Sequence, residues 1–285
     1  MRTSWGSATD RGRVRLVNED SLLAYPPVFL VADGMGGHAA GDVASRLAVE
    51  EFSHLAGLST ASADEIHDCI HRTAVRLRES VPDDRLAGTT IAGVAIAAHE
   101  GASYWLVFNI GDSRVYRLAG GVLEQISVDH SVVQELLDLG AIDVDEARDH
   151  PERHVITRAV GTGLEPEPDY WLIPAGTSDR LLICSDGLTS ELDDDALLTV
   201  LTSAQDPQDA AQQLVAAALD AGGRDNITAV VVDVAAAPHG PDTESTLQSA
   251  DRSDPSPQGA GSWDDDVDGA TVPQPTRARV PEVTP

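Results

Sequence analysis

Three greasy, β-prone runs each end in an aspartate: Val28 to Asp33 (VFLVAD, then Gly34), Leu106 to Asp112 (LVFNIGD) and Leu181 to Asp186 (LLICSD, then Gly187). Apolar runs of this length read as buried strands, so each carboxylate is expected where a strand leaves the core. Asp225, in Arg224-Asp225-Asn226, immediately precedes a fourth such run, Ile227 to Val234. Any one of these aspartates beside a glycine is more simply read as a turn former. Four of them delivered to one edge describe a hard-cation site. Mg²⁺ and Mn²⁺ take oxygen ligands in near-octahedral geometry, so a few carboxylates, a backbone carbonyl and water suffice. Two such ions about 3.5–4 Å apart can aim a water at phosphorus while polarising the phosphoryl oxygens. Gly34 suits this chemistry, because the missing side chain lets its carbonyl come close to an ion. Phosphate-monoester hydrolysis is among the slowest uncatalysed reactions and demands electrostatic help of this strength.

Other chemistries fail on residue type or spacing. All 19 basic residues are arginine, so Schiff-base chemistry and the lysine of nucleotide-binding phosphate loops are excluded. A thiol phosphatase carries an arginine at the end of the loop that begins with its cysteine; Val75 and Ser190 stand at that position after Cys69 and Cys184. An aspartyl-phosphate mechanism wants a second aspartate where Met35 stands, and a lysine besides. His67-Asp-Cys-Ile-His71 approaches the zinc-protease spacing, but its acid is one methylene short and no third ligand follows. With Ile66, Ile70 and Leu77 forming an apolar stripe, these histidines are expected on its solvated flank.

The formal net charge of −28 disfavours nucleic-acid and anionic-membrane partners. It also poses a problem that bound cations would solve, since an acidic protein attracts a phosphate dianion only where the local field is inverted. Two cysteines make no disulfide framework, and both read as structural thiols in a reducing compartment. The N-terminus has no apolar stretch for a signal peptide, and no run reaches the roughly 18 residues of a membrane span. The expectation is a soluble, cytoplasmic, monomeric protein. Abundant Arg and Ala without Lys suggests a GC-rich bacterial genome.

Strand-like runs cluster at Val28 to Ala32, Thr89 to Ala98, Tyr104 to Ile110, Val115 to Leu118, Leu181 to Ser185 and Thr228 to Val234. Helical patterns cover Ala39 to Leu55, Ala63 to Ser80 behind a Ser62–Glu65 capping box, Ser131 to Leu139, and Gln208 to Ala221 behind Asp206-Pro207. Strands come in adjacent pairs with helices inserted, which favours antiparallel sheets flanked by helices over βαβ alternation. A polar excursion, Asp138 to Arg158, with only a short helical stretch around Asp143 to Arg148, reads as a surface lid. Beyond residue 236 come eight of the 16 prolines and the run Asp264-Asp265-Asp266, a composition that cannot bury enough surface to offset its ordering entropy. Residues 1–236 are therefore expected to form the catalytic domain and 237–285 a disordered tail, in which Thr243, Ser245, Thr246 and Thr271 are candidate phosphorylation sites.

In order, the motifs resemble those of the type 2C metal-dependent Ser/Thr protein phosphatases, bacterial type. The matching stretches are Gly12 to Asp20 (GRVRLVNED), Asp33 to Gly37 (DGMGG) with Gly41-Asp42, Gly88-Thr89-Thr90, Asn109 to Arg114 (NIGDSR), Asp129-His130, Thr157 to Gly161 (TRAVG), Ser185-Asp186-Gly187 and Arg224-Asp225-Asn226. The resemblance implies an α+β fold, a four-layer α-β-β-α sandwich of two antiparallel sheets flanked by helices, with a dinuclear Mg²⁺ or Mn²⁺ centre at one end. It implies that Asp33, Asp186 and Asp225 ligate the ions, that Gly34 gives its carbonyl, and that Glu19 helps orient water. Asp112 matches the aspartate of a third, weaker metal site in many bacterial members; the rival reading is a turn carboxylate. Arg15 falls on the phosphate-binding arginine, whose fork suits bidentate contact with phosphoryl oxygens, or else is a surface strand residue. Asp20 and Asn226 flank these positions and can fix carboxylate orientation. The excursion 138–158 falls on the flap implicated in substrate choice. Many eukaryotic members place a histidine, the presumed general acid, where this chain has Met35; a metal-bound water is the first candidate instead, with His38 behind it.

The expected activity is metal-dependent hydrolysis of phosphoserine and phosphothreonine in proteins, opposing a Ser/Thr kinase in signalling, with Arg15, Glu19 and Asp33 as the catalytic set. Two rivals stand beside it: a catalytically silent phosphatase-like scaffold, and a metal-dependent phosphatase of a small metabolite.

Overall fold

The computed structural model describes residues 1–36, 40–81, 87–148, 150–163 and 165–234, all within the unit Met1–Pro238. The expected tail and its candidate phosphorylation sites lie outside the described residues, as do Gly37 and His38.

Two antiparallel sheets carry the fold. One has the order β1 (Thr3–Asp10), β11 (Ile227–Val234), β10 (Arg180–Cys184), β7 (Arg114–Ala119), β8 (Val122–Gln125). The other runs β2 (Asp20–Tyr25), β3 (Val28–Gly36), β5 (Ile91–His99), β6 (Ala102–Ile110), β9 (Asp169–Pro174), with the short β4 (Ala87–Thr89) on the far end of β3. Helices α1 (Ala40–Ser53) and α2 (Ala63–Ser80) cover the second sheet; α5 (Asp186–Thr189), α6 (Asp194–Ser203) and α7 (Pro207–Ala221) cover the first. The result is the α-β-β-α sandwich.

Three apolar layers follow from strand alternation. In β3, Val28, Leu30 and Ala32 face α1 and α2, while Phe29 and Val31 face the other sheet. In β10, Leu182 and Cys184 face the helices, while Leu181 and Ile183 meet Val230 and Val232 of β11 and the residues of β3 and β5 between the sheets. A strand buried on both faces has no polar side to show, so VFLVA and LLIC read as unbroken apolar runs.

Local sequence sets the helix ends. Ser62 accepts the Glu65 N–H, and the Glu65 carboxylate accepts the Ser62 N–H at 2.8 Å, a complete capping box that starts α2 at Ala63. Asp206 accepts from the amides of Gln208 and Asp209 ahead of Pro207, so α7 begins one residue earlier than its apolar periodicity alone suggests. Cys69 and Cys184 are buried and unpaired; burial pushes their thiols up to about 11 and about 12, which suits inert core packing. His67 and His71 stand on the exposed flank of α2, His71 Nε2 lying 3.6 Å from Glu165. Among its described residues the excursion after α3 (Val132–Asp138) holds only α4 (Val144–Arg148), and it returns to the body where Ser131 bridges Ile156.

Candidate active site

The strand ends do bring the aspartates together. Because β10 and β11 are antiparallel neighbours, with Cys184 opposite Ala229, the exit of one and the entrance of the other lie at the same end. Asp186 opens α5 just after β10, and Asp225 sits just before β11. Asp112 follows β6 at that end of the other sheet. Asp33 departs from expectation: it lies within β3, opposite Asp20 of β2, and the strand runs on through Gly36 by pairing with β4. Its backbone is locked, with its carbonyl accepting from Thr90 N (2.9 Å) and Thr89 Oγ1 (3.0 Å) and its N–H donating to Thr90 Oγ1 (3.0 Å). That explains the Gly-Thr-Thr motif as the brace of Asp33. Arg15, Glu19, Asp33, Gly34, Asp112, Asp186 and Asp225 all line one cleft of about 1280 Å³.

The cleft concentrates like charge. Burial pushes the Asp33 carboxyl well above the ordinary range, and the charges of Asp20, Asp186, Asp112 and Asp225 push it further. Asp112 is raised to about 8 by burial and by Asp186 and Asp129. Asp20 is raised to about 7, chiefly by burial, although Ser185 Oγ (2.8 Å) and Thr228 Oγ1 (2.7 Å) both donate to its Oδ2. Its buried Oδ1 has no hydrogen-bond partner among the described residues. A fold that forces carboxylates together at this cost fits a cation, whose charge would relieve every one of these repulsions at once. Among the described residues no three His, Cys, Asp or Glu side chains close into a complete ligand set. One reason is visible: Arg15 Nη2 donates to Asp225 Oδ2 at 2.6 Å, so a guanidinium serves as the counter-charge there.

A pH dependence follows. A carboxyl whose folded pKa lies above its ordinary 3.8 binds its proton more tightly in the folded state, so stability falls as pH climbs through the folded value. Chelator-treated protein should therefore lose melting temperature between pH 5 and the raised values of about 7 for Asp20 and about 8 for Asp112. Asp112→Asn should flatten that slope, and thermal melts across the range would check it.

The framework around the carboxylates is built from distant pieces. Asn226 Nδ2 donates to the carbonyls of Arg11 and Val17, both at 2.9 Å, and its Oδ1 accepts the N–H of Glu19 at 2.8 Å. One side chain thus pins the β1–β2 loop that carries Arg15 and Glu19. The Glu19 carbonyl in turn accepts from Ser45 Oγ (2.6 Å) and Gly34 N (3.2 Å). Gly34 faces Gly41 at the start of α1, and a Cβ on Gly34 would fall inside the Gly41 carbonyl. Gly187 has the same relation to the carbonyl of Asn226.

Some relations among the lining residues are visible only in the fold. Arg114 donates to Asp129 through Nε (2.9 and 3.0 Å) and Nη2 (2.6 Å), a bidentate pair on the cleft wall. Both lie in motifs noted above, but only the fold shows that they pair. Arg148, Arg153 and His154 reach the cleft from the polar excursion, with His154 Nδ1 3.9 Å from Asp186 Oδ2. Met35 also lines the cleft.

The sequence profile of the protein phosphatase 2C family matches residues 12–220, a span that includes all but the last of these aspartates. The chain belongs to the protein phosphatase 2C family. Among its relatives, the serine/threonine phosphatase Stp of Listeria monocytogenes is 39% identical over 239 residues, covering 79% of this chain and 93% of that protein. The crystal structure of the Mycobacterium tuberculosis serine/threonine phosphatase PstP superposes with a TM-score of 0.75 at 37% identity, covering 82% of this chain and 99% of that one. A structure of the catalytic domain of PstP in complex with two manganese ions superposes with a TM-score of 0.72 at 34% identity, covering 82% and 98%. The protein phosphatase 2C membership accounts for the sandwich, the order of the motifs and the end of the sheets at which they meet.

Proposed function

We propose that this protein is a metal-dependent serine/threonine protein phosphatase in which Asp33, Asp186, Asp225 and the carbonyl of Gly34 hold two Mg²⁺ or Mn²⁺ ions, with Asp112 serving a third and weaker position. The observation that carries this reading is the convergence of Asp33, Asp112, Asp186 and Asp225 from separate elements into one cleft, where burial and mutual repulsion raise Asp33 and Asp112 far above ordinary carboxylates. Core packing gives no reason for it. When bound, the ions supply a water activated for attack on phosphorus near neutral pH and neutralise the phosphoryl oxygens.

The chain's own residues do the positioning. Glu19, its backbone fixed by Asn226, lines the cleft and orients water there. Arg15, half exposed and paired to Asp225, is within reach of an incoming phosphoryl group and presents a planar fork to its oxygens. Asp20 and Asn226 hold the ligand-bearing segments in register. Met35 has no proton to give, so this reading assigns protonation of the leaving alcohol to water. Arg148, Arg153 and His154 make the flap, about residues 138–158, part of the entrance that a phosphorylated segment must pass. The catalytic domain spans residues 1–236.

The substrates are phosphorylated proteins, and the reaction opposes the Ser/Thr kinase that supplies them. We place it in the cytoplasm as a monomer. No described helix is long and apolar enough to cross a membrane.

Phosphate release from a phosphothreonine peptide by the full chain, with Mn²⁺ or with chelator, tests the reading. Metal-dependent release that small phosphorylated metabolites compete for poorly is the expected result. Release from the metabolites in preference to the peptide would change the substrate class, and no release from folded, metal-supplied protein would leave a silent scaffold.

A further inference from the structure

His130 is only 5% exposed and takes no place among the carboxylates, yet its polar groups are committed on three sides. Its N–H donates to the carbonyl of Gly111 at 2.8 Å, and the N–H of Gly111 donates back to His130 Nδ1 at 3.1 Å. Asn109 Nδ2 donates to the same Gly111 carbonyl at 3.1 Å. Because Nδ1 accepts, the ring proton resides on Nε2, which donates to Asp169 Oδ2 at 3.1 Å. Arg158 Nη1 stands 3.3 Å from the other oxygen of Asp169 and equally near His130 Nε2, where, with the ring proton on Nε2, it makes no hydrogen bond. The hydrogen bond from His130, with the Arg158 charge beside it, holds the Asp169 carboxyl below its ordinary range, so the anion that fixes the tautomer stays charged. On its other side, the His130 carbonyl accepts the N–H of Thr157 at 2.8 Å, so the returning limb of the flap hangs on the same residue.

Gly111 immediately precedes Asp112. It has φ +113°, and a Cβ there would run into the Thr90 side chain, so only glycine fits and its backbone has one place to be. The direction in which Asp112 leaves the backbone is therefore set by the two hydrogen bonds that clasp Gly111 to His130. We infer that His130 is a positioning residue for Asp112, oriented by Asp169 and linking the weakest of the proposed ion positions to the flap. This rests on the reading of Asp112 as an ion-holding residue.

Mn²⁺ titration calorimetry of the full chain tests it, on the native protein and on His130→Phe, His130→Asn and Asp112→Ala. Phenylalanine keeps the ring and removes the Nδ1 acceptor; asparagine places Oδ1 near where Nδ1 stood. His130→Phe should weaken the weakest Mn²⁺ binding event on the order of 10–100-fold and leave the tighter events in place. His130→Asn should recover most of that loss, and Asp112→Ala should abolish the event. A folded His130→Phe with unchanged weak binding, while Asp112→Ala loses it, overturns the positioning role alone. Weak binding that survives in Asp112→Ala overturns the ion-holding reading of Asp112 and the inference with it. If His130→Phe does not fold, Asp169→Leu decides, since it leaves the buried ring in place and removes the acceptor that orients it. About ten-fold weaker binding is then expected, and unchanged binding overturns the role.

Discussion

Asp186→Asn and Asp225→Asn should each lower turnover of a phosphothreonine peptide on the order of 10³-fold at saturating Mn²⁺. Asparagine keeps the size of the side chain and removes one negative charge. A unit charge about 4 Å from another, at the effective screening typical of such sites, is worth about 4 kcal/mol. At about 1.4 kcal/mol per decade, that is roughly 10³ in rate if the interaction is fully expressed in the transition state. The two variants should differ without metal. Asp186 raises Asp20, Asp33 and Asp112 by repulsion, so Asp186→Asn should melt at a higher temperature than the native protein in chelator while having lost its activity. Asp225 also repels its neighbours but holds Arg15 at 2.6 Å, and losing that partner offsets the gain, leaving its melting temperature nearly unchanged. Opposite signs for stability and activity separate a lost ligand from a damaged fold. Near-normal turnover in both variants would remove these residues from the site.

Gly34→Ala should be a severe change for a single methyl group. The obstacle is space, since the added carbon would occupy the position of the Gly41 carbonyl, and backbone on both sides leaves no flexible side chain to yield. Gly41 returns the constraint, because a Cβ on it would stand 2.7 Å from the Gly34 carbonyl oxygen and 2.8 Å from Glu19 Oε1. Overpacking of this kind costs about 3 kcal/mol, which for a domain of this size is a fall of roughly 6–12 °C in melting temperature. Because β3 and α1 must separate to admit the methyl, the Gly34 carbonyl moves with them, and turnover should fall by at least about ten-fold even at temperatures where the variant is folded. Gly41→Ala should behave alike. A melting temperature and turnover equal to the native values would show that the two segments are not held this closely in solution.

The strands legible in the sequence were the interior ones. Six apolar runs correspond to β3, β5, β6, β7, β10 and β11, each with a neighbour on both sides. The other five are β1, β2, β8 and β9, the edges of the two sheets, and the three-residue β4 that pairs with β3. An edge strand keeps polar residues and half-exposed positions: TSWGSATD in β1 and VLEQ in β8 have no continuous apolar stretch to betray them. Helix α6 is hard to read from sequence for another reason, since its cap Asp193 opens a run of three aspartates, although Leu197 and Leu201 behind it keep helical spacing. In the site, the aspartates stood out because burial is written into the runs beside them. The apolar run before Asp33 stops at Ala32, which predicts a strand end there, whereas β4 supplies the partner that extends β3 through Gly36. The pairing of Arg15 with Asp225 joins residues 210 apart and the clasp of His130 on Gly111 residues 19 apart, and no local pattern records either.

Asn226 and Asp225 grip the loop of Arg15 and Glu19, so the cleft is closed by segments 210 residues apart in the chain, with β11 inserted between β1 and β10. A growing polypeptide therefore emerges from the ribosome with Arg15 exposed and must wait about 10–40 s at ordinary synthesis rates for Asp225 and Asn226. Contacts of such long range are also the slowest to form after release. A chain interrupted before β11 keeps most of its aspartates and has nowhere to assemble them, so an unfinished copy cannot erase a phosphorylation mark ahead of schedule.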